Sequence, residues 1–299
     1  MKSLLILPQI KVERGNALSG LLYGFPAVTQ FTGFIHSISR ELTKLKQTEG
    51  LTLDGCSIIC HSHKMHAHKS GYNLRLTQAK PPLNSDGKSP SFQEEGKIDL
   101  EVSLVIACNF TAYNFDFGND DEQEEKNAFC SLIHQLAMKR PLAAGNIVSM
   151  SEPKMITVPN GDGSFQKMKR ELMKLMPGFV LVSRQDIFDE VFNYKGDLAD
   201  EMLSLCRIQT KSDEEGNWIT VRKRNGWIVP IQAGYRSISD LYESEKIRNT
   251  RDSTTPFRFV EPIYSLGEWK GIHRIKNLEE TIWKYDFKDN LYITHTQGI

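Results

Sequence analysis

Six side chains able to bind metals or carry protons crowd one short stretch: Cys56, Cys60, His61, His63, His66 and His68. His63, His66 and His68 are near enough in the chain to share an ion, but the spacing matches no zinc module. An extended strand would also send Cys60 and His61 to opposite faces. Solvated histidines, or histidines stacked on RNA bases, fit the pattern better than a metal centre, and no metal or other cofactor is expected. His36 is the one histidine in an amphipathic segment and the obvious candidate for general acid or base. At about 100° per residue it falls opposite the apolar stripe, where a surface histidine sits. The acidic run from Asp116 to Glu125 suggests metal-dependent hydrolysis, yet a solvated loop entering a helix N-terminus accounts for it better. Phosphate-loop, nucleophile-elbow and zinc-protease patterns are all missing, which argues against the commonest catalytic classes without excluding catalysis.

The stronger chemical signal is cationic. Between residues 62 and 93 stand Lys64, Lys69, Arg75, Lys80 and Lys88 against a single acid, Asp86, with Tyr72 and Phe92 among them. Turn formers abound there and core formers do not. That composition predicts a basic hairpin or thumb projecting between two strands and touching nucleic acid. A second cluster, Arg222, Lys223 and Arg224, precedes Asn225-Gly226, a two-residue hairpin signal between Trp218–Val221 and Trp227–Ile231. Lys and Arg grip phosphates, while Tyr72, Phe92, Trp218 or Trp227 can stack on bases. Either tryptophan can equally be core. Arg14 and Asn16, in a long glycine-bearing loop ahead of the first helix, complete the candidate RNA contacts, together with His36 if that helix starts near the RNA.

These groups need elements to position them. Leu4–Leu7 reads as a short strand buried on both faces. Phe31, Phe34, Ile35, Ile38, Leu42 and Leu45 recur at helical spacing after Pro26, with Thr29 as N-cap. Leu51–Cys60 is a second strand, bent or bulged at Asp54-Gly55. In residues 98–108, Ile98, Leu100, Val102, Leu104, Ile106 and Cys108 point one way, with Asp99, Glu101 and Ser103 on the other face. A second helix follows, its core face Phe129, Leu132, Ile133, Leu136 and Ala137, and Gly145–Val158 returns as a strand interrupted by Pro153. This β-α-β, hairpin, β-α-β order predicts an α+β chain with a modified ferredoxin-like fold, its helices on one face and the other face open. Residues 1–158 form that core, with the hairpin inserted at about 62–93. Residues 159–215 follow as a helical segment after the Pro159–Gly163 junction. It holds a helix over Phe165, Met168, Leu172, Leu175 and Met176, the strand Phe179–Val182, and a helix from Ser183 towards Cys206. Residues 216–299 add the second basic hairpin and late strands such as Phe257–Leu266.

Composition limits the classes further. The 299 residues suffice for a sizeable core, in one large domain or two packed ones. Lys+Arg and Asp+Glu are both 37, so net charge is silent about nucleic acid and only its distribution speaks. No run approaches the roughly 18 apolar residues of a membrane span, and Leu4–Leu7 is too short for a signal sequence. Five cysteines without framework spacing fit a reducing cytoplasm.

Five stretches taken together carry a family resemblance: GFPAVTQFTGFIHSISREL (24–42), LDGCSIICH (53–61), EEGKIDLEVSLVIA (94–107), NGWIVPIQAGYRSIS (225–239) and FVEPIYSLGEW (259–269). In this order and spacing they resemble the second Csy subunit family of the type I-F CRISPR surveillance complex, a Cas-five-like branch of the RAMP group. The resemblance implies an RNA-recognition-like fold with a protruding hairpin, and antiviral defence as the setting. It implies a heterodimer with the large Csy subunit holding the 5′ handle of the CRISPR RNA, the terminal backbone Csy subunit alongside, and target DNA met only through the assembled complex. It implies no catalytic residue and no membrane. Some RAMP proteins cleave RNA with a histidine near the first helix, so an endoribonuclease using His36, with Lys64 or Arg40 beside the phosphate, is the alternative.

Overall fold

The computed structural model describes residues 3–45, 48, 50–110, 122–157, 163–192, 196–250 and 252–296. Asp116–Asp121 of the acidic run and residues 159–162 of the junction lie outside them, as does the side chain of Phe165.

Strand β1, Ser3–Asn16, leads through a small hairpin, β2 Leu18–Ser19 and β3 Leu22–Tyr23, into helix α1, Val28–Leu42. Next come β4 Leu51–Met65, a ribbon of β5 Ala67–Ser70, β6 Asn73–Ala79 and β7 Gln93–Glu95, and then β8 Lys97–Phe110. Helix α2, Glu122–Met138, β9 Asn146–Ser149 and β10 Lys154–Thr157 close the first half. The second half runs α3 Gly163–Met173, β11 Phe179–Ser183, α4 Gln185–Phe192, α5 Leu198–Cys206, β12 Gln209–Ser212 and β13 Trp218–Val221. It ends with β14 Ile228–Ser237, β15 Val260–Gly271, β16 Lys284–Lys288 and β17 Leu291–His295. The chain is α+β, built on one ten-stranded sheet ordered β10-β1-β8-β4-β11-β15-β14-β17-β16, with β9 also on β1. Every pairing in it is antiparallel.

The alternation along β8 sets the first layer. Ile98, Leu100, Val102, Leu104, Ile106 and Cys108 all face α1 and α2, and meet Phe31, Phe34, Ile35 and Ile38 of one helix and Phe129, Ile133 and Ala137 of the other. Each such aliphatic side chain, fully buried, contributes about 1.5–3 kcal/mol, so this layer dominates the first half. Asp54-Gly55 is a bulge as expected: the register with β8 shifts between Leu53 and Gly55, and the Gly55 φ is 141°.

The opposite face is not open, contrary to the ferredoxin-like expectation of a free surface. Beyond Ser103 the second face of β8 turns apolar, and Val105 and Ala107 join Leu4, Ile6, Ile59 and Ile156 beneath Leu172 and Leu175 at the end of α3. Ile272, Ile275, Leu278 and Ile282, from the chain after β15, complete that cover. A surface of this apolarity must be buried, and the second half of the chain supplies the lid.

Local expectations also need correcting. Arg14 and Asn16 belong to β1, and the long loop is largely the β2–β3 hairpin. Thr29 is buried inside α1, whose N-cap is Ala27 with no side-chain hydrogen bond. Leu45 lies beyond the helix and is exposed. The helix after Ser183 ends at Phe192, and α5 starts afresh at Asp197, whose side chain accepts from the amides of Ala199 and Asp200. Asn225-Gly226 does not join two partner strands: β13 pairs with β12, while β14 pairs with β15 and β17. No described helix is long and apolar enough to cross a membrane.

Candidate nucleic-acid interface

The inserted segment is a projecting ribbon. β4 and β8 stay paired out to Met65 and Ile98, then β5, β6 and β7 continue as a separate three-stranded sheet. Gly71, at φ 63°, and Tyr72 make its two-residue tip, and the Tyr72 ring is fully exposed. Its side chains are exposed or half-buried throughout, so it has no core of its own. Direct pairing sets the faces: His68 lies opposite Arg75, and Lys69 opposite Leu74. Since paired residues share a face, Lys69 and Arg75 stand on opposite sides of the ribbon. Lys80 follows β6 and is exposed, as is Phe92.

The root of the ribbon is knitted by charge. Arg14, at φ 54°, sits where the β1–β8 register shifts, and this turns its amide to donate to Asp99 Oδ1 at 2.9 Å. His66 Nε2 lies 2.8 Å from the other Asp99 oxygen. Burial pushes the Asp99 pKa up, but the Arg14 amide, then His66, outweigh it and hold the carboxyl below the usual range. The Arg14 and Lys97 side chains each approach Glu95 at 3.8 Å. Asn16 brackets the next turn: its Nδ2 donates to the Leu18 carbonyl at 2.9 Å and its Oδ1 accepts from the Leu18 amide at 3.0 Å.

The second cationic cluster is a bent segment rather than a hairpin tip, and α4 and α5 answer two of its charges. Lys223 Nζ pairs with Glu201 and Arg224 with Glu190, while Arg222 Nη1 donates to the Gly226 carbonyl at 2.8 Å. Gly226 is required there: φ is 109°, and a Cβ would lie 2.6 Å from Glu268 Oε1. Glu268 is nearly buried and itself held by Arg184 at 2.6 Å.

Between the ribbon root and this segment lies a cavity of about 400 Å³. Tyr23, Phe25, Phe179, Trp227 and Trp269 line it, with His61, His63 and Gln232. Phe25 meets Trp269 edge-on at 4.8 Å and Phe179 meets Trp227 edge-on at 5.7 Å. The Tyr23 hydroxyl is buried without a hydrogen-bond partner, and burial raises its pKa, so it stays a neutral donor. Of these rings only Trp227 stood out in the sequence as a stacking candidate. Residues from 23 to 269 meet here through sheet pairing, and no local pattern announces that.

Two other histidines, His61 and His36, are engaged structurally. His61 Nδ1 lies 2.7 Å from the Pro177 carbonyl, which can only accept, so Nδ1 carries the proton. Its Nε2 then accepts from Ser103 Oγ at 2.6 Å. That serine–histidine geometry resembles an activated nucleophile, but Ser103 is 0% exposed and its oxygen also accepts the Gln9 amide at 2.9 Å. No three His, Cys, Asp or Glu side chains converge as a metal site among the described residues. His36 is exposed on α1, and its Nδ1 bonds the hydroxyl of Tyr285 on the edge strand β16 at 2.7 Å. Cys56, Cys60 and Cys108 are buried, and burial pushes the Cys60 and Cys108 thiols up to about 12. They serve as core side chains, not nucleophiles.

The family described as CRISPR-associated protein (Cas_Csy2) matches residues 5–294, from β1 into β17. The chain is also 33% identical over 309 residues to the CRISPR-associated protein Csy2 of Pseudomonas aeruginosa (strain UCBPP-PA14). That match covers 94% of this chain and 91% of the relative, so it spans the ribbon, the cavity and both faces of the sheet. This chain belongs to the Csy2 family of CRISPR-associated proteins.

Proposed function

We propose that this chain is a non-catalytic subunit of the type I-F CRISPR surveillance complex, paired one-to-one with the large Csy subunit to hold the 5′ handle of the CRISPR RNA. The terminal backbone Csy subunit sits beside it, and target DNA is met only through the assembled complex. The observation that carries this reading is the ribbon: a coreless, solvent-facing element whose tip and edges present Tyr72, Lys69, Arg75 and Lys80. Such an element adds nothing to the core, and its side chains match phosphate and base stacking. The order β10-β1-β8-β4, with α1 and α2 over one face, supports a ferredoxin-like unit enlarged by later strands. The apolar cover on the back of that unit moves the RNA path from an open sheet face to the ribbon and the cavity at its root. Guide pairing reads the target, so this subunit holds backbone and handle rather than spacer sequence.

The proposal includes that the chain cuts nothing. His36 donates or accepts through Tyr285, and an RNA hydroxyl would have to displace that bond to come within the roughly 3 Å a general base needs. Co-purification with the large Csy subunit and guide RNA, followed by mapping of RNA crosslinks, tests the assignment. Crosslinks in residues 62–93 are expected, and their confinement to the far edge around β16 would defeat it. Repeat RNA incubated with the chain, with and without divalent metal, should stay intact. Discrete cleavage lost in His36→Ala would establish the endoribonuclease instead.

A further inference from the structure

We infer that the outer edge of β16, at the far end of the sheet from β10, is a site for strand addition by an extended segment of another protein, one that alternates acidic and apolar residues. The site stands apart from the RNA-binding reading above. β16 ends the strand order and pairs with β17 alone among the strands. Its hydrogen-bond phase follows from the turn. Asp289 and Asn290, at φ 51° and 65°, form a two-residue turn closed by the Lys288–Leu291 pair. That pair exchanges both main-chain bonds, so by alternation Asp286 and Lys284 also bond β17, while Phe287 and Tyr285 turn their N–H and C=O groups outward. Trp283 has the same phase: it exchanges both bonds with Cys56 of β4, at 2.8 and 2.9 Å, on that outer side. Beyond Trp283 no described residue pairs with this edge, and all 5 residues of β16 are exposed.

The side chains define the chemistry of the added strand. Lys284 and Lys288 share one face with Asp286, whose carboxylate lies 2.7 Å from His295 Nε2, and neither lysine has a carboxylate partner among the described residues. Tyr285 and Phe287 share the other face with Tyr292, on which Tyr285 stacks at 5.4 Å, and Phe287 is 67% exposed. An incoming strand therefore meets cations with one row of side chains and rings with the other, which suits acids alternating with apolar residues. A second copy of this chain fits badly. In the antiparallel register that overlaps all of β16, Lys284 faces Lys288 and Asp286 faces Asp286, and an in-register parallel pair sets every charge against itself. Like charges directly opposite destabilise a ladder. Lysines on an edge deter indiscriminate pairing in this way and leave the main chain open to a strand of opposite charge. Nucleic acid would answer the lysines but not the alternating N–H and C=O groups.

The test uses the full chain purified with the large Csy subunit, and hydrogen exchange read on fragments spanning residues 283–295. If exchange along β16 is fast in that pair, a short peptide alternating glutamate and valine should slow it. The lysine–valine counterpart and the fully N-methylated glutamate peptide should not. If the large subunit already protects the edge, Phe287→Pro removes an outward N–H while sparing the β16–β17 ladder. It should then weaken the pair about 10-fold more than Phe287→Ala does, the loss of one or two main-chain bonds. Lys284→Glu with Lys288→Glu should weaken the pair as well. Fast exchange that the glutamate peptide leaves unchanged overturns the site, and so does a lysine peptide that works equally well. Equal weakening by Phe287→Pro and Phe287→Ala would mark a side-chain contact and overturn it too. Protection that grows with concentration in the absence of peptide would mean that a second copy covers the edge, again against the inference. Should Phe287→Pro unravel β16, the lysine double variant decides, with unchanged pairing counting against the site. If no pair forms, the heterodimer reading fails separately, and the peptide arm is run on the chain alone.

Discussion

At the scale of single residues, the root of the ribbon depends on Asp99. Its carboxylate accepts the Arg14 amide and faces His66, and these hold its pKa below the usual aspartate range. A carboxyl lowered on folding contributes stability that is present above its unfolded pKa and lost as pH falls through the folded value. Acid should therefore loosen the ribbon root, and the Arg14 amide resonance should titrate with a midpoint below that of an unstructured aspartate. A midpoint at or above it would remove the electrostatic account of this junction. Gly226 is the second sensitive position. Gly226→Ala would force a side chain into a left-handed backbone against Glu268, which Arg184 and Lys270 hold in place. A loss of about 1–3 kcal/mol is expected from denaturant unfolding. An unshifted midpoint would mean that Glu268 yields freely.

Elements differ in how free their charges are. The ribbon keeps Lys69, Arg75 and Lys80 in solvent, whereas Lys223 and Arg224 are matched by Glu201 and Glu190 on neighbouring helices. A matched cation neutralises fewer phosphates. Lys69→Ala with Arg75→Ala should lower the log–log salt slope of handle-RNA binding by up to about 1.4, taking roughly 0.7 for each lost single-strand contact. Because these two side chains occupy opposite faces of the ribbon, a strand lying on one face loses only half of that. Lys223→Ala with Arg224→Ala should change the slope less. Equal slopes in both double variants and the unaltered chain would mean that the ribbon is merely solvated.

The whole molecule presents more apolar surface than its own packing explains. Leu21 is 91% exposed, and Ile238, Leu241 and Phe259 are about half exposed near one another in the β14–β15 connection. Patches of this kind mark protein contacts. Expressed alone, the chain should aggregate, and co-expression with the large Csy subunit should yield a stable 1:1 pair on size exclusion. A monodisperse monomer that ignores the large subunit would refute the pairing. The zero net charge agrees with a subunit that covers its surface with protein and confines RNA contact to one projecting element.

Local pattern by itself determined the helices α1 and α2, the faces of β8, the bulge at Gly55 and the projecting ribbon. Each is written in neighbours two to four residues apart: the 3.6-residue stripe from Phe31 to Leu42, the alternation from Ile98 to Cys108, the turn formers around Gly71. It also determined the family, because five separated stretches agreed at once. Tertiary structure alone decided the rest. The lid of α3 and residues 272–282 over Leu4, Ile6 and Val105 joins segments roughly 70 to 280 residues apart, and no periodicity encodes such a meeting. The Asn-Gly signal at 225–226 lost to pairing of β14 with β15, nine register pairs against a turn preference of a fraction of that energy. Arg222, Lys223 and Arg224 look alike in sequence to the ribbon lysines, yet their matched carboxylates come from helices packed beside them. The aromatic cavity is the sharpest case. Tyr23, Phe179, Trp227 and Trp269 become neighbours only when the sheet brings β3, β11, the approach to β14, and β15 together, since long-range strand order, unlike a helix face, is set by burial across the whole fold.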